Sequence, residues 1–200
     1  MKKHRLIQIF VLLSVFAISF VYCQSSYRDR IIQPEKIMDA IGVKSGMVIG
    51  EAGAGRGYFT FKLAKRVGET GKIYANDIDS GVLRSIREQC EDEDIKNITT
   101  ILGEVTDPLF PKGKLDMVFM IAAFHDFEKP VEWLKNVKVS MKPAATLVIV
   151  EKDPGQSGYS SSHHMTEEEI LEAIEKGGFQ LVKIETFLEN DNIFISRIPD

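Results

Sequence analysis

An acid and three glycines at alternate positions, Glu51, Gly53, Gly55 and Gly57, stand in the stretch V-I-G-E-A-G-A-G-R-G-Y-F-T, residues 48–60. Glycine lets the backbone take positive φ and lets a ligand approach without a Cβ in the way. The apolar run Met47-Val48-Ile49 comes first, and the helix-compatible run Tyr58 to Val67 follows. Strand, glycine-rich turn and helix in that order make a ligand loop, because a helix start offers N–H groups and a positive dipole end. A second acid, Asp77, ends the strand-like run Lys72 to Asp77, where a carboxylate can accept both hydroxyls of a ribose. Asp79 is its nearby rival, and is equally suited to cap the helix that follows. His125 comes just after the apolar run Leu115 to Ile121. Histidine titrates near neutral pH, so His125 is a candidate base or acceptor-positioning group. The alternative is that His125 and Asp126 only bond the loop backbone. His163 and His164 lie in a loop rich in glycine and serine, which reads as a mobile lid. The spacing of the three histidines is no known ligand signature, so no metal is expected.

The elements that would position these residues alternate between strand and helix. Tyr27 to Ile41 has near-helical apolar spacing with a break at Pro34, a candidate lid helix. Phe59, Phe61, Leu63, Ala64 and Val67 supply the buried face of the helix after the glycine loop. Further strands are expected at 98–102, 115–121 and 145–150. Pro130 suits the first turn of a helix carrying Val131, Leu134, Val137 and Val139. Thr166 and Glu169 form a capping box for a helix that Gly177-Gly178 stop. Two closing strands, 179–187 and 193–198, form an antiparallel hairpin. The fold class expected is α/β: a Rossmann-like, doubly wound, mostly parallel sheet with a C-terminal antiparallel strand.

A dinucleotide loop, G-x-G-x-x-G, would need its third glycine at 58, and that position is Tyr58. The spacing E-x-G-x-G-x-G resembles motif I of the class I S-adenosylmethionine (SAM)-dependent methyltransferases. The resemblance covers roughly residues 27–198 and implies that the loop Gly53 to Gly57 wraps the methionine part of SAM, with Glu51 near its amino group. It places Asp77 on the ribose, as the family's motif II acid. It also places Glu104 and Val105, which follow the third strand, at the adenine; Glu104 stands where the family commonly has Asp. The loop around His125 would face the transferred methyl group. The implied reaction is in-line displacement of the methyl group onto an unidentified, small-molecule acceptor. Before the fifth strand the family often reads L-K-P-G-G, and this chain reads M-K-P-Ala144-Ala145. If either alanine needed positive φ it would cost about 1 kcal/mol. Two readings of other classes remain: a non-catalytic, membrane-tethered module for a nucleoside-like ligand, and a nicotinamide-dependent oxidoreductase.

Two hundred residues fit one domain with an adequate core. The formal charge is −4, and −7 once Lys2, Lys3 and Arg5 are set aside. That argues against a nucleic-acid partner, which usually needs a basic face. Residues 1–23 read separately from the fold, as a signal peptide or N-terminal anchor. Three basic residues precede the apolar run Leu6 to Tyr22, whose helical length of about 25 Å is at the low edge for a bilayer. More basic charge before the run than just after it favours export of the domain, so an exported or membrane-anchored location is expected, with a cytoplasmic one as alternative. Cys23 and Cys90 alone make neither a disulfide framework nor a zinc site.

Overall fold

The computed structural model of the chain describes residues 27–152 and 164–199. The chain divides into two units, Met1–Lys36 and Ile37–Asp200. In the first, residues 27–32 are helical and Gln33 takes φ 53°. A proline disfavours helical backbone in the residue before it, and Pro34 follows. Helix α1, Pro34–Ala40, starts there. The expected targeting segment Leu6–Tyr22 and the serine-rich loop 153–163, with His163, lie outside the described residues. Among the described residues no helix is long and apolar enough to cross a membrane.

The second unit is built on one seven-stranded sheet. Its strands are β1 (Val48–Ala52), β2 (Lys72–Asp77), β3 (Ile98–Leu102), β4 (Leu115–Ile121), β5 (Met141–Lys152), β6 (Gln180–Glu185) and β7 (Asp191–Arg197). Their order is β3-β2-β1-β4-β5-β7-β6. β1 to β5 are mutually parallel, and β7 lies antiparallel between β5 and β6. This is the doubly wound sheet with an antiparallel closing hairpin that the alternation of elements implies. Register brings the carboxyl ends together: Ala52 pairs with Asn76, Asp77 with Leu102 and Ile121 with Val150. Residues just after those positions therefore share one edge, and the chain reverses its winding there between β1 and β4.

Alternation along β4 assigns the two faces. Phe119 meets Phe59 of α2 (Tyr58–Val67), with ring centroids 4.8 Å apart. Val118 and Met120 point the other way. They join one apolar cluster with Trp133 and Leu134 of α4 (Pro130–Val137) and Ile170 and Ile174 of α5 (Glu167–Lys176). α3 (Ser80–Asp92) buries Leu83 and Ile86 beside Ala75 of β2. The capping box at Thr166 and Glu169 is complete, and Gly177 ends α5.

Three local expectations are corrected. β5 starts at Met141, not Ala145, and its register against β4 jumps from Leu115↔Met141 to Met117↔Thr146. The bulge absorbs Pro143, which has no N–H for a regular ladder, and Lys142 donates to Asp116 at 2.7 Å. Neither Ala144 nor Ala145 has positive φ, so the expected alanine penalty does not arise. Val139 is not on the buried face of α4. The helix ends at Val137, and Val139 falls in the 3-10 turn Lys138–Ser140, 60% exposed.

Candidate active site

Where β1 ends the three glycines do three different things. Gly53 has φ 68°, and a Cβ there would lie 2.4 Å from the Ala123 Cβ, across the gap between β1 and β4. Gly57 has φ 85°, and a Cβ would meet Phe61 and Ile86. It is also the N-cap of α2 and brings no capping side chain. Gly55 has φ 53°, and among the described residues nothing lies within 4 Å of its Cβ position. The outer glycines are required by the protein's own packing. The middle one turns its bare face to open space.

Asp77 joins this loop to the end of β2. One carboxylate oxygen accepts the Gly55 N–H at 2.9 Å, and the other accepts the Asp79 N–H at 3.0 Å. Asp79 instead caps α3, accepting the Gly81 N–H at 2.6 Å. Of the two rivals, only Asp77 lies on the wall of a cavity of about 320 Å³. That volume is in the range of small-molecule sites.

Gly53, Asp77, Glu104 and Val105 line that cavity, and so does Ile78. Ile78 and Val105 are exposed apolar side chains, a surface suited to a flat base. Glu104 is exposed, and its N–H donates to the Asp107 carbonyl at 2.8 Å, which fixes the turn. Behind the turn Asn76 is buried and donates to the carbonyls of Ile101 and Pro108. Gly103 leaves the room for it, since a Cβ there would lie 2.5 Å from the Asn76 side-chain nitrogen.

Glu51 lies below the loop, 2% exposed, and accepts the Thr60 hydroxyl at 2.5 Å. Burial pushes its carboxyl up from the ordinary 4.5 to about 8; the Thr60 bond works against this and the charge of Asp77 adds to it. Glu51, Gly55 and Gly57 are not on the cavity wall itself.

The far wall is made by the residues after β4, Ala122, Ala123, Asp126 and Phe127, with Trp133 behind them. Ala122 has φ 47°, a strained conformation for a residue with a Cβ. The turn Phe124–Asp126 follows. His125 does not face the cavity. Its Nδ1 lies 2.9 Å from Oε2 of Glu151, its Nε2 lies 3.5 Å from Asp126, and its ring stands edge-on to His164 with centroids 5.2 Å apart. Glu151, which the sequence analysis does not single out, is the buried acid that this turn is bonded to. Its signal is an acid ending an otherwise apolar strand, the signal that singled out Asp77. Among the described residues no group of three or more histidine, cysteine or acidic side chains could hold a metal ion.

Residues 43–192 match the family described as a methyltransferase domain. Demethylmenaquinone methyltransferase of Lactococcus lactis is 26% identical over 126 residues, 63% of this chain and 50% of that protein. Nocamycin O-methyltransferase of Saccharothrix syringae is 29% identical over 83 residues, 42% of this chain and 30% of that protein. The chain thus spans half or less of the length of these curated relatives. Among solved structures, a SAM-dependent methyltransferase from Aquifex aeolicus superposes with a TM-score of 0.81 at 25% identity, covering 86% of this chain and 93% of that one.

Proposed function

The chain belongs to the methyltransferase domain family through residues 43–192, and from that premise we propose that it transfers the methyl group of SAM to a small-molecule acceptor. One observation carries the reading: Asp77, on the cavity wall, holds the glycine loop with the same carboxylate, accepting the Gly55 N–H at 2.9 Å. Gly53 and Gly55 fit such a ligand, because both hold positive φ and the missing Cβ of Gly55 leaves open space. Bound SAM would supply an electrophilic methyl group on a sulfonium.

The chain's own residues bind and orient. Asp77 accepts the ribose hydroxyls, in charge-assisted bonds worth about twice a neutral one. Ile78 and Val105 flank the base, and Glu104 accepts its amino group. Glu51 lies beneath the loop that holds the amino-acid end. Holding donor and acceptor in line supplies most of the acceleration, and an acceptor that is already anionic needs no base. His125, turned toward Glu151, serves the acceptor side only as a positioning group, through the turn it occupies.

Methyl-labelled SAM incubated with a panel of phenols, quinols and amines tests the activity. Label in one of them, with S-adenosylhomocysteine released, is expected. SAM bound by the protein with no label moved to any of them would favour the non-catalytic module. We further propose that Leu6–Tyr22 takes the chain to a membrane or beyond it, on the basis of its apolar run behind Lys2, Lys3 and Arg5. Fractionation of cells making the full chain or a chain starting at Gln24 tests this. Equal recovery of both in the cytoplasm, unprocessed, would refute it.

A further inference from the structure

Three backbone N–H groups and one histidine ring nitrogen converge on one carboxylate at the end of β5. Oε1 of Glu151 accepts the backbone N–H groups of Ala123 at 3.0 Å, Phe124 at 2.7 Å and His125 at 3.3 Å. Oε2 lies 2.9 Å from Nδ1 of the His125 ring. Glu151 is 2% exposed, and the His125 side chain is 11% exposed. The three amides belong to consecutive residues, directly after Ala122 with its φ of 47°. Only a single point acceptor beneath the turn can serve three successive N–H groups.

An ionised carboxylate accepts and never donates. Beside such a carboxylate, Nδ1 of His125 carries the proton shared with Oε2. Asp126, on the cavity wall, lies 3.5 Å from Nε2 of the ring.

We propose that Glu151 is a positioning residue, whose carboxylate holds the turn Ala122–Asp126 against the cofactor cavity and fixes His125 as the Nδ1–H tautomer. The proposal rests on the methyltransferase reading only for what the cavity holds. Its geometry stands without a ligand.

The test uses the full chain, uniformly ¹⁵N-labelled, and S-adenosylhomocysteine as the probe. Long-range ¹H–¹⁵N spectra, taken with the ring neutral, should show His125 protonated at Nδ1. In Glu151→Gln the amide can donate to Nδ1, and the ring should turn over to the Nε2–H tautomer. The backbone amides of Ala123 and Phe124 should shift with it. The glutamine still offers an oxygen to the turn, so calorimetric affinity for S-adenosylhomocysteine should stay within about threefold of the wild-type. Glu151→Ala leaves the three amides without their acceptor and should weaken it about tenfold or more. A wild-type ring protonated at Nε2, or a ring signal unchanged in Glu151→Gln, would overturn the proposal, and so would full affinity in Glu151→Ala. A wild-type protein with the expected tautomer and no affinity for the probe would instead sink the methyltransferase reading and leave the positioning role standing.

Discussion

A Cβ at Gly55 would meet open space, whereas one at Gly57 would meet Phe61 at 2.6 Å and Ile86 at 3.1 Å. Equal-looking glycines thus predict unequal mutants. Gly55→Val should abolish measurable binding of S-adenosylhomocysteine while the protein still unfolds cooperatively, because valine dislikes positive φ and fills ligand space. Wild-type affinity in that variant would remove the loop from the site. The two acids after β2 divide in the same way. Asp77→Ala should weaken the ligand at least about tenfold, as charge-assisted bonds are lost. Asp79→Ala should lower stability by about 1 kcal/mol through the lost cap and leave affinity nearly intact. Reversed effects would show that Asp79 holds the ligand. Glu51 gives a pH dependence. Folding raises its pKa from 4.5 to about 8, so the folded state keeps a proton that the unfolded chain has released. Stability from this group is full below pH 4.5 and falls as pH rises toward 8, by up to about 1.4 kcal/mol per unit. Glu51→Gln should flatten the melting temperature over that window. A wild-type slope in the variant would locate the titration elsewhere.

At the scale of elements, each wall of the cavity is a strand end plus the turn after it, and two of those turns are pinned from behind by a buried polar side chain. Asn76 pins the turn after β3, and Glu151 pins the turn after β4. Gly103→Ala would drive a methyl group to 2.5 Å from the Asn76 side chain. It should destabilise the fold by about 1–3 kcal/mol, as overpacking does, and disturb the Glu104–Asp107 turn. A denaturation midpoint equal to the wild-type would refute the pin. These pins also mark what the sequence could not show. An acid at the end of an apolar strand is visible as a letter pattern, and Asp77 was found that way. The partners of Glu151 are backbone N–H groups 26–28 residues away, which leave no letters. Strand ends were legible where apolar runs meet polar or glycine residues, as at Leu115 after Lys114 and Leu102 before Gly103-Glu104. The start of β5 was not, because a bulge admits Pro143 into a strand that proline would otherwise end.

For the whole molecule, one constraint arranges the rest. Parallel strands linked by helices bring every carboxyl end to one edge, so residues 53, 77, 104 and 123 share a cavity despite their separation in the chain. That convergence was legible, because it follows from alternation of strand and helix and needs no side-chain detail. The direction of His125 was not. Its place after β4 suggested a group facing the methyl donor, and the fold turns it toward Glu151. On the proposed reading, this cavity takes SAM and not a dinucleotide. Calorimetric titration of the full chain, separately with SAM, S-adenosylhomocysteine and NAD, tests it most directly. One saturable site for each of the first two, lost in Asp77→Ala, with no heat from NAD, is the predicted result. Saturable binding of NAD, or a folded protein that binds none of the three, would contradict it.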